Sequence, residues 1–448
     1  MLDINFIKEN RDLVENAIIN KNLSDSVNLE ELLNLYETYL NTLRLVETKR
    51  SLRNKITQDI PKFLDPQHAY ERQKLMQEAT EIKKDLQELD TKLTESEESY
   101  KKLLLLIPNV YAEDVPVGKS EDENVVARQV GTPKEFNFKV RDHIELGQLL
   151  DIIDLETAGI VSGSRFYYLK NEAVMLEFAI INFVMNTIQD KELMAKLAKS
   201  VNNPSEKTFS PILPPVFVRP EVMKRMDRLD PLDERYYFEK DNLVLVGSAE
   251  HTLGPMHMDK VFKEAELPLR YIGFSTSFRR ESGSYGKDVK GIIRTHQFDK
   301  LEMESFSTVE NGRVEQDLFV AIQEYLLQQL EIPYQVISIC TGDMGKPDFR
   351  QIDMECHIPS QGKYRETHTS DYMTDFQARR LNTAYVDKDN NRHFVHMNDA
   401  TAFAIGRILV ALLENNQQED GSVLVPKVLT KYTNFDKILP KLWIFIAH

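Results

Sequence analysis

Cysteine is almost missing from this chain: Cys340 and Cys356 are the only two in 448 residues. They supply no disulfide framework and no CxxC metal pair, and both read as buried strand residues. Long apolar runs are also lacking, and no stretch approaches the ~20 residues that cross a bilayer. The start, Met1-Leu2-Asp3-Ile4-Asn5, has neither the basic and apolar regions of a secretory signal nor the Arg-rich make-up of a transit peptide. Together these absences point to the cytoplasm. A basic excess is missing too. Lys plus Arg number 56 against 71 Asp plus Glu, a net charge of -15. That argues mildly against a nucleic-acid partner, because neutralising phosphates releases counterions and favours basic surface. The distribution of charge matters more than its sum. Internal repeats and low-complexity tracts are absent as well.

What is present is an ordinary globular composition, 42% hydrophobic and 28% charged, in a chain long enough for two or three domains. The N-terminal quarter reads as helix. Leu75, Ala79, Ile82, Leu86, Leu89, Leu93, Ser96, Tyr100 and Leu103 are spaced by alternating fours and threes, a heptad seam that needs a partner helix. Leu29, Leu33, Tyr36, Leu40 and Leu43 follow the same alternation upstream, and Leu52 and Ile56 resume it after a phase change. Pro61 and Asp65-Pro66 interrupt helix between the two halves. An antiparallel hairpin over roughly 28–105 is expected, each helix ~50 Å long at 1.5 Å per residue, projecting from the body. Arg44, Lys49, Arg50, Arg53 and Lys55 form a basic stripe along it, relieved only by Glu47. A solvated helix face is the plainer reading of that stripe; a contact with a phosphate backbone is the other.

Beyond Ile107-Pro108-Asn109 and an acidic linker, short β-branched and aromatic runs alternate with turns and helices. Arg165–Leu169, Tyr237-Phe238, Leu243–Val246 and Val336–Cys340 read as strands, and a late helix covers about 400–415. Without a regular βαβ beat this predicts an α+β domain built on an antiparallel sheet with flanking helices. The division expected is 1–110 for the helical domain and 111–448 for the second. The densest chemistry lies between Phe278 and Glu302, read as strand, glycine-rich loop, strand. Arg279 and Arg294 flank the loop, so a hairpin brings both to one site. Arginine forks match phosphate oxygens and never lose charge. Phe298 offers a face for a purine, and Glu302, four residues on, a carboxylate on the same strand face. A surface hairpin of solvated charges fits this spacing too.

The stretch Phe278-Arg279-Arg280-Glu281-Ser282-Gly283-Ser284-Tyr285-Gly286, continuing through Arg294-Thr295-His296-Gln297-Phe298, resembles motif 2 of class II aminoacyl-tRNA synthetases in its seryl form. Gly406-Arg407 opening Ile408–Asn415, with Gln417-Gln418 and Gly421–Pro426, resembles motif 3. Asp375–Arg380, Cys340–Gly345, Ser162–Tyr167 and Ile107-Pro108-Asn109 are further seryl-type signatures, and Pro211–Pro215 falls where motif 1 is expected. The ordered series covers the chain from the N-terminal arm to about residue 430. What the resemblance implies is serine activation by ATP and esterification to tRNA. It assigns Arg279 to the α-phosphate and the serine carboxylate, and Arg294 and Arg407 to the outer phosphates. Phe298 stacks on adenine with Arg407 covering its other face, while Glu281 reads the base edge. Glu366 and Thr369 take a divalent metal, expected to be Mg2+. Ser248 and Glu250 hold the serine ammonium, and Glu302 and Thr401 its hydroxyl, with Asp399 also in the serine pocket. The same resemblance implies a homodimer and a helical arm that binds the long variable arm of tRNA(Ser), with tRNA(Sec) a further candidate. In that light the basic stripe reads as RNA-contacting, and neither a membrane nor DNA is expected as partner.

Some positions depart from the family pattern. Ser248 stands where threonine is usual, His368 replaces a small residue, and Asp399 replaces asparagine. A glycine-rich loop is replaced by Met226-Asp227-Arg228-Leu229-Asp230-Pro231 and Asp233-Glu234-Arg235. A packed histidine is the plainer reading of His368; a ligand or pH-sensitive contact is the other. Three rival readings differ in what they need. A ligase that loads a carrier protein lacks a tRNA arm. A non-catalytic RNA-binding paralogue loses ATP-site arginines or metal carboxylates, whereas Arg279, Arg294, Arg407, Glu355 and Glu366 are all here. A coiled-coil scaffold leaves the motif series unexplained.

Overall fold

The structure is a computed structural model and describes residues 1–281 and 290–441. The chain divides into two compact units, Met1–Pro108 and the part from Asn109 onward.

The first unit opens with short helices at Ile4–Glu9 and Arg11–Asn20, followed by two long ones, α1 (Leu29–Asp59) and α2 (Ala69–Leu104). Asn28 starts α1 by accepting a hydrogen bond from the Glu31 backbone N–H at 3.0 Å, satisfying a donor the helix leaves open. Pro61 and Pro66 lie in the break, where 3-10 turns replace α-helix. With 31 and 36 residues, the two helices run to about 46 and 54 Å at 1.5 Å per residue. Their seam buries Val46, Ile56, Ile82 and Leu86, with Leu75, Ala79, Leu89 and Leu93 packed beside them. Tyr36, Tyr39 and Tyr100 close it in an aromatic cluster, with centroids 4.9–6.2 Å apart. The expected phase change comes earlier than Leu52. It falls at Val46, three residues after Leu43 where the alternation calls for four; Ile56 is buried as expected, whereas Leu52 is 41% exposed. Lys49 and Arg50 flank this stretch and reach across the hairpin to Asp85 (2.6 Å) and Asp90 (2.8 Å).

The second unit is organised by an eight-stranded sheet. In chain order its strands are β1 (Val125–Val130), β2 (Ser210–Ile212), β3 (Leu269–Phe278), β4 (Gln297–Ser307), β5 (Tyr334–Ser338), β6 (Arg350–Ile358), β7 (Lys363–Tyr372) and β8 (His396–Ala404). Their spatial order is β1-β5-β6-β7-β8-β4-β3-β2, antiparallel throughout except where β2 runs parallel to β3. Three helices cover the sheet: α3 (Glu172–Gln189), α4 (Gly312–Gln329) and α5 (Ile405–Asn415). The main core lies between sheet and helices, with Phe319, Leu326, Met303, Phe403, Ile408 and Leu412 among its buried residues. The late helix begins at Ile405, not near 400. Residues 400–404 stay in β8, where Ala400, Ala402 and Ala404 offer one small-residue face. The strand expected at Arg165–Leu169 shortens to Tyr168–Leu169, because Arg165 takes a left-handed φ of 62° that breaks extension. Cys340 and Cys356 are buried thiols. Burial pushes the Cys356 thiol up to about 12, which removes it as a nucleophile at neutral pH.

Candidate active site

The central strands of the sheet each deliver side chains to one cavity of about 190 Å³. Arg279 leaves the end of β3, and Phe298, Lys300 and Glu302 alternate along β4. Glu366, Thr369 and Asp371 come from β7, Asp399 and Thr401 from β8, and Arg407 from the first turn of α5. Glu250, Glu281, Arg294 and Arg228 close its edges. The alternation has a simple cause: side chains two apart on a strand share a face. Register then pairs Glu302 with Thr401 and Glu304 with Asp399. The residues expected at the active site therefore converge, with one exception. Ser248 does not line the cavity. It is 1% exposed, and its hydroxyl accepts a hydrogen bond from Lys300 Nζ at 3.1 Å. The residues Ser282–Gly286 of the glycine-rich loop lie outside the described residues.

One end of the cavity is cationic. Arg279 donates from Nε to the Gly247 carbonyl at 3.1 Å, and its guanidinium lies 5.5 Å from the Phe298 ring centroid, a cation–π distance. Arg294 Nε lies 2.8 Å from Glu281 Oε2. Arg407 donates to Glu366 Oε1 at 2.7 Å and to the Glu366 carbonyl at 3.1 Å. The Arg407 charge holds the half-exposed Glu366 carboxyl below its ordinary range.

The other end is anionic. One carboxylate oxygen each from Glu250, Glu302 and Asp399 lies within 4.8 Å of the other two. Burial pushes Glu302 up to about 7, although Lys300 Nζ, 2.5 Å away, pulls the other way. Burial also drives Asp399 well above the usual carboxylate range, reinforced by the charge of Glu250. Glu250 behaves oppositely. Burial opposes its charge, yet Arg228 at 3.4 Å and His251 at 3.4 Å hold it well below the ordinary value. A cationic end for phosphates joined to an acidic end, where Glu250 keeps its charge for an ammonium, is the arrangement an amino-acid-activating site requires.

Two oxygen donors suited to a hard cation line the cavity near Arg407. Glu366 and Thr369 face the cavity from β7 and pair in register with Glu355 and Asp353 of β6. Asp353 is driven well above the usual range by burial and by the charge of Glu366. A carboxylate and a hydroxyl oxygen on one strand face are donors that fit a divalent hard cation.

His368 is not a cavity residue. It points into the core, 1% exposed, with its ring 5.3 Å from Phe403 and Nδ1 2.8 Å from Thr367 Oγ1. Burial lowers its pKa to about 3, so it packs as a neutral ring. In the arm, Lys49 and Arg50 hold their cross-hairpin pairs, while Arg44 and Lys55 are exposed and Arg53 is partly buried. Sequence reading did not single out Lys300 or Arg228. Lys300 had a signal, its place two residues from both Phe298 and Glu302 on one strand; Arg228 had none, because its partners are distant in sequence.

Comparison with known proteins agrees with this geometry. Residues 1–111 match the profile of the seryl-tRNA synthetase N-terminal domain, and residues 236–416 that of the tRNA synthetase class II core domain (G, H, P, S and T). The chain is 36% identical over 450 residues to the serine–tRNA ligase of Dictyoglomus turgidum, covering 98% of this chain and 100% of that one. Its structure superposes on the crystal structure of seryl-tRNA synthetase from Pyrococcus horikoshii complexed with ATP, with a TM-score of 0.89 at 36% identity, covering 98% of this chain and all of the other. The cytoplasmic serine–tRNA ligase of Naegleria fowleri in complex with AMP gives 0.84 at 28% identity, over 98% and 99%. This chain belongs to the seryl-tRNA synthetase family, with a class II catalytic core.

Proposed function

We propose that this enzyme activates L-serine with ATP and transfers it to tRNA(Ser), with the roles divided between the two ends of its cavity. The observation that carries the reading is the joining of Arg279, Arg294 and Arg407 to Glu250, Glu302 and Thr401 in one cavity. A serine carboxylate oxygen attacks the α-phosphorus of ATP. The bond to the β-phosphate oxygen breaks, and pyrophosphate leaves with its electron pair. No protein nucleophile is needed, only in-line placement and cations where negative charge gathers. Arg279 stands nearest the reacting centre. Arg294 and Arg407 take the outer phosphates once freed from Glu281 and Glu366. Phe298 stacks on adenine, whose edge Glu281 reads. Glu366 and Thr369 would hold Mg2+, which supplies charge neutralisation on the phosphates when bound. In the second step a terminal ribose hydroxyl of tRNA attacks the carbonyl of the adenylate, and AMP leaves.

Glu250 receives the ammonium, and Asp399 completes that wall; Ser248, buried against Lys300, does not reach it. Glu302 and Thr401 bond the hydroxyl. An amino acid without that hydroxyl forfeits both bonds in a buried site, which supports rejection of alanine. The arm, with Arg44, Lys49, Arg50, Arg53 and Lys55, serves the tRNA variable arm, and this favours a tRNA substrate over a carrier protein. Retention of every ATP-side arginine favours an enzyme over a silent RNA-binding paralogue. A homodimer is supported by the apolar residues exposed at the edge beyond β2 and on α3, namely Leu213, Met175 and Phe178. A cytoplasmic location accords with the finding that no helix among the described residues is long and apolar enough to cross a membrane. tRNA(Sec) is the further RNA substrate proposed. The test is amino-acid-dependent pyrophosphate–ATP exchange with each of the twenty amino acids, then charging of purified tRNAs. Serine-dependent exchange with charging of tRNA(Ser) is expected. Exchange without charging would move the protein to the carrier ligases, and no exchange would overturn the enzyme.

A further inference from the structure

The segment 225–228 reaches the anionic end of the cavity by a built route. Arg225 Nε donates to the Arg380 carbonyl at 2.9 Å, and Arg380 Nε returns a bond to the Arg225 carbonyl at 2.6 Å. Gln377 Nε2 donates to the Met226 carbonyl at 3.2 Å. Asp227 is tied to Lys346 at 2.7 Å and Arg380 at 3.2 Å, and its left-handed φ of 65° turns the next residue inward. Arg235 Nε then holds the Arg228 carbonyl at 3.1 Å. The outcome is an arginine 18% exposed whose guanidinium stands between two carboxylates, Nε 3.4 Å from Glu250 and an NH2 nitrogen 3.7 Å from Asp399. Two features that set this chain apart, Asp399 and the 226–231 segment, are thus a single contact.

We propose that Arg228 is a positioning residue for amino-acid recognition, bridging Glu250 and Asp399 so that the Glu250 carboxylate is held open to the substrate ammonium; this rests on the function proposed above. Three observations support it. Arg228 is the cation whose charge lowers the carboxyl groups of Glu250, Glu304, Asp371 and Asp399 alike. Without it, burial would carry Glu250 towards the neutral acid, which holds an ammonium weakly. Its Nε forms no aligned hydrogen bond with Glu250, so the carboxylate keeps lone pairs for a second cation. Finally, the fork touches Asp399 on its other side, which holds it beside Glu250 instead of across it.

The experiment is steady-state pyrophosphate exchange on the full chain, with serine and ATP varied separately. Arg228→Gln is expected to raise the serine KM about 30-fold or more, the usual result of stripping one partner from a buried charge pair, with the ATP KM unchanged. Arg228→Lys keeps the charge but loses the fork, and should fall between, about threefold to tenfold above wild type. A serine KM unmoved in Arg228→Gln, or serine and ATP KM values that rise together, would overturn the proposal. If Arg228→Gln does not fold, Arg228→Lys decides, and an unchanged serine KM there overturns it. A wild-type protein with no serine-dependent exchange would overturn the proposed function and this inference with it, whereas an active wild type with unaffected variants overturns this inference alone.

Discussion

The Arg407 guanidinium lies 2.7 Å from the Glu366 carboxylate. Each sets the other's ionisation, the arginine pulling the acid down and the carboxylate pushing the arginine up. A residue proposed for ATP and one proposed for the metal thus hold each other until the substrate separates them.

Arg407→Ala is expected to lower kcat/KM for ATP in pyrophosphate exchange about 100-fold or more, as loss of a preorganised cation does. The unfolding free energy should change by no more than about 1 kcal/mol, because Glu366 is half-exposed and the pair contributes little to the fold. Exchange kinetics and a denaturant titration check both halves. A variant with wild-type ATP kinetics would remove Arg407 from the phosphate site.

Glu304 is 1% exposed, and burial together with the charges of Asp399, Glu250 and Glu302 raises its pKa well above 4.5. The folded state therefore binds a proton that the unfolded chain has released above that value, so stability falls as pH rises beyond it. Glu304→Gln mimics the protonated acid. Its melting temperature should exceed that of wild type at pH 8, and the advantage should shrink towards pH 5. Parallel melting curves across that range would show that Glu304 does not titrate in this way.

Arg270 and Glu315 form an ion pair with both side chains fully buried, 2.6 and 2.8 Å apart at two contacts. Glu315→Gln leaves a buried guanidinium without its counter-charge and should cost about 3–5 kcal/mol. Chemical denaturation reads this directly. A loss under 1 kcal/mol would mean that the Lys207 and Ser205 carbonyls, which also accept from Arg270, suffice.

Gly291 has φ of +78°, and a Cβ there would meet His143 Nε2 at 1.9 Å. His143 is held by Glu414 at 3.0 Å, next to Ile292 of the cavity wall. Gly291→Ala should impair ATP kinetics and stability together. Adding His143→Ala clears the clash but not the backbone strain, so only partial recovery is expected. Full recovery would mean that the left-handed conformation carries no strain in this turn.

Replacing Arg44, Arg53 and Lys55 by alanine should leave serine-dependent exchange intact and weaken tRNA binding, with a shallower salt dependence. Filter binding at several ionic strengths, beside exchange, checks this. Unchanged tRNA affinity would return the stripe to a solvated face.

Much of the site was legible because its chemistry sits in local strings. Arg279, Arg294, Phe298 and Glu302 fall within one hairpin, and strand alternation alone brings Phe298 and Glu302 to one face. Arg228 was not legible in the same way. Its meaning comes from Glu250 and Asp399, and only sheet register and the turn at Asp227 bring the three together. The seam of the arm failed at one point for a related reason. Leu52 is the more conspicuous apolar residue, but the phase shifts already at Val46, and packing follows the shifted step to Ile56.

The edge strand β1 pairs with β5, Val125 opposite Ser338, so it waits for more than two hundred further residues before its partner exists. At 5–20 residues per second on the ribosome, that interval is at least about 10 s. The helical hairpin makes its contacts locally and is complete once Leu104 has emerged. Contacts near in sequence form fast and distant ones slowly. During synthesis the chain should therefore present a formed helical arm well before it has a site to serve, with the open edge of β1 as the surface most in need of protection in between.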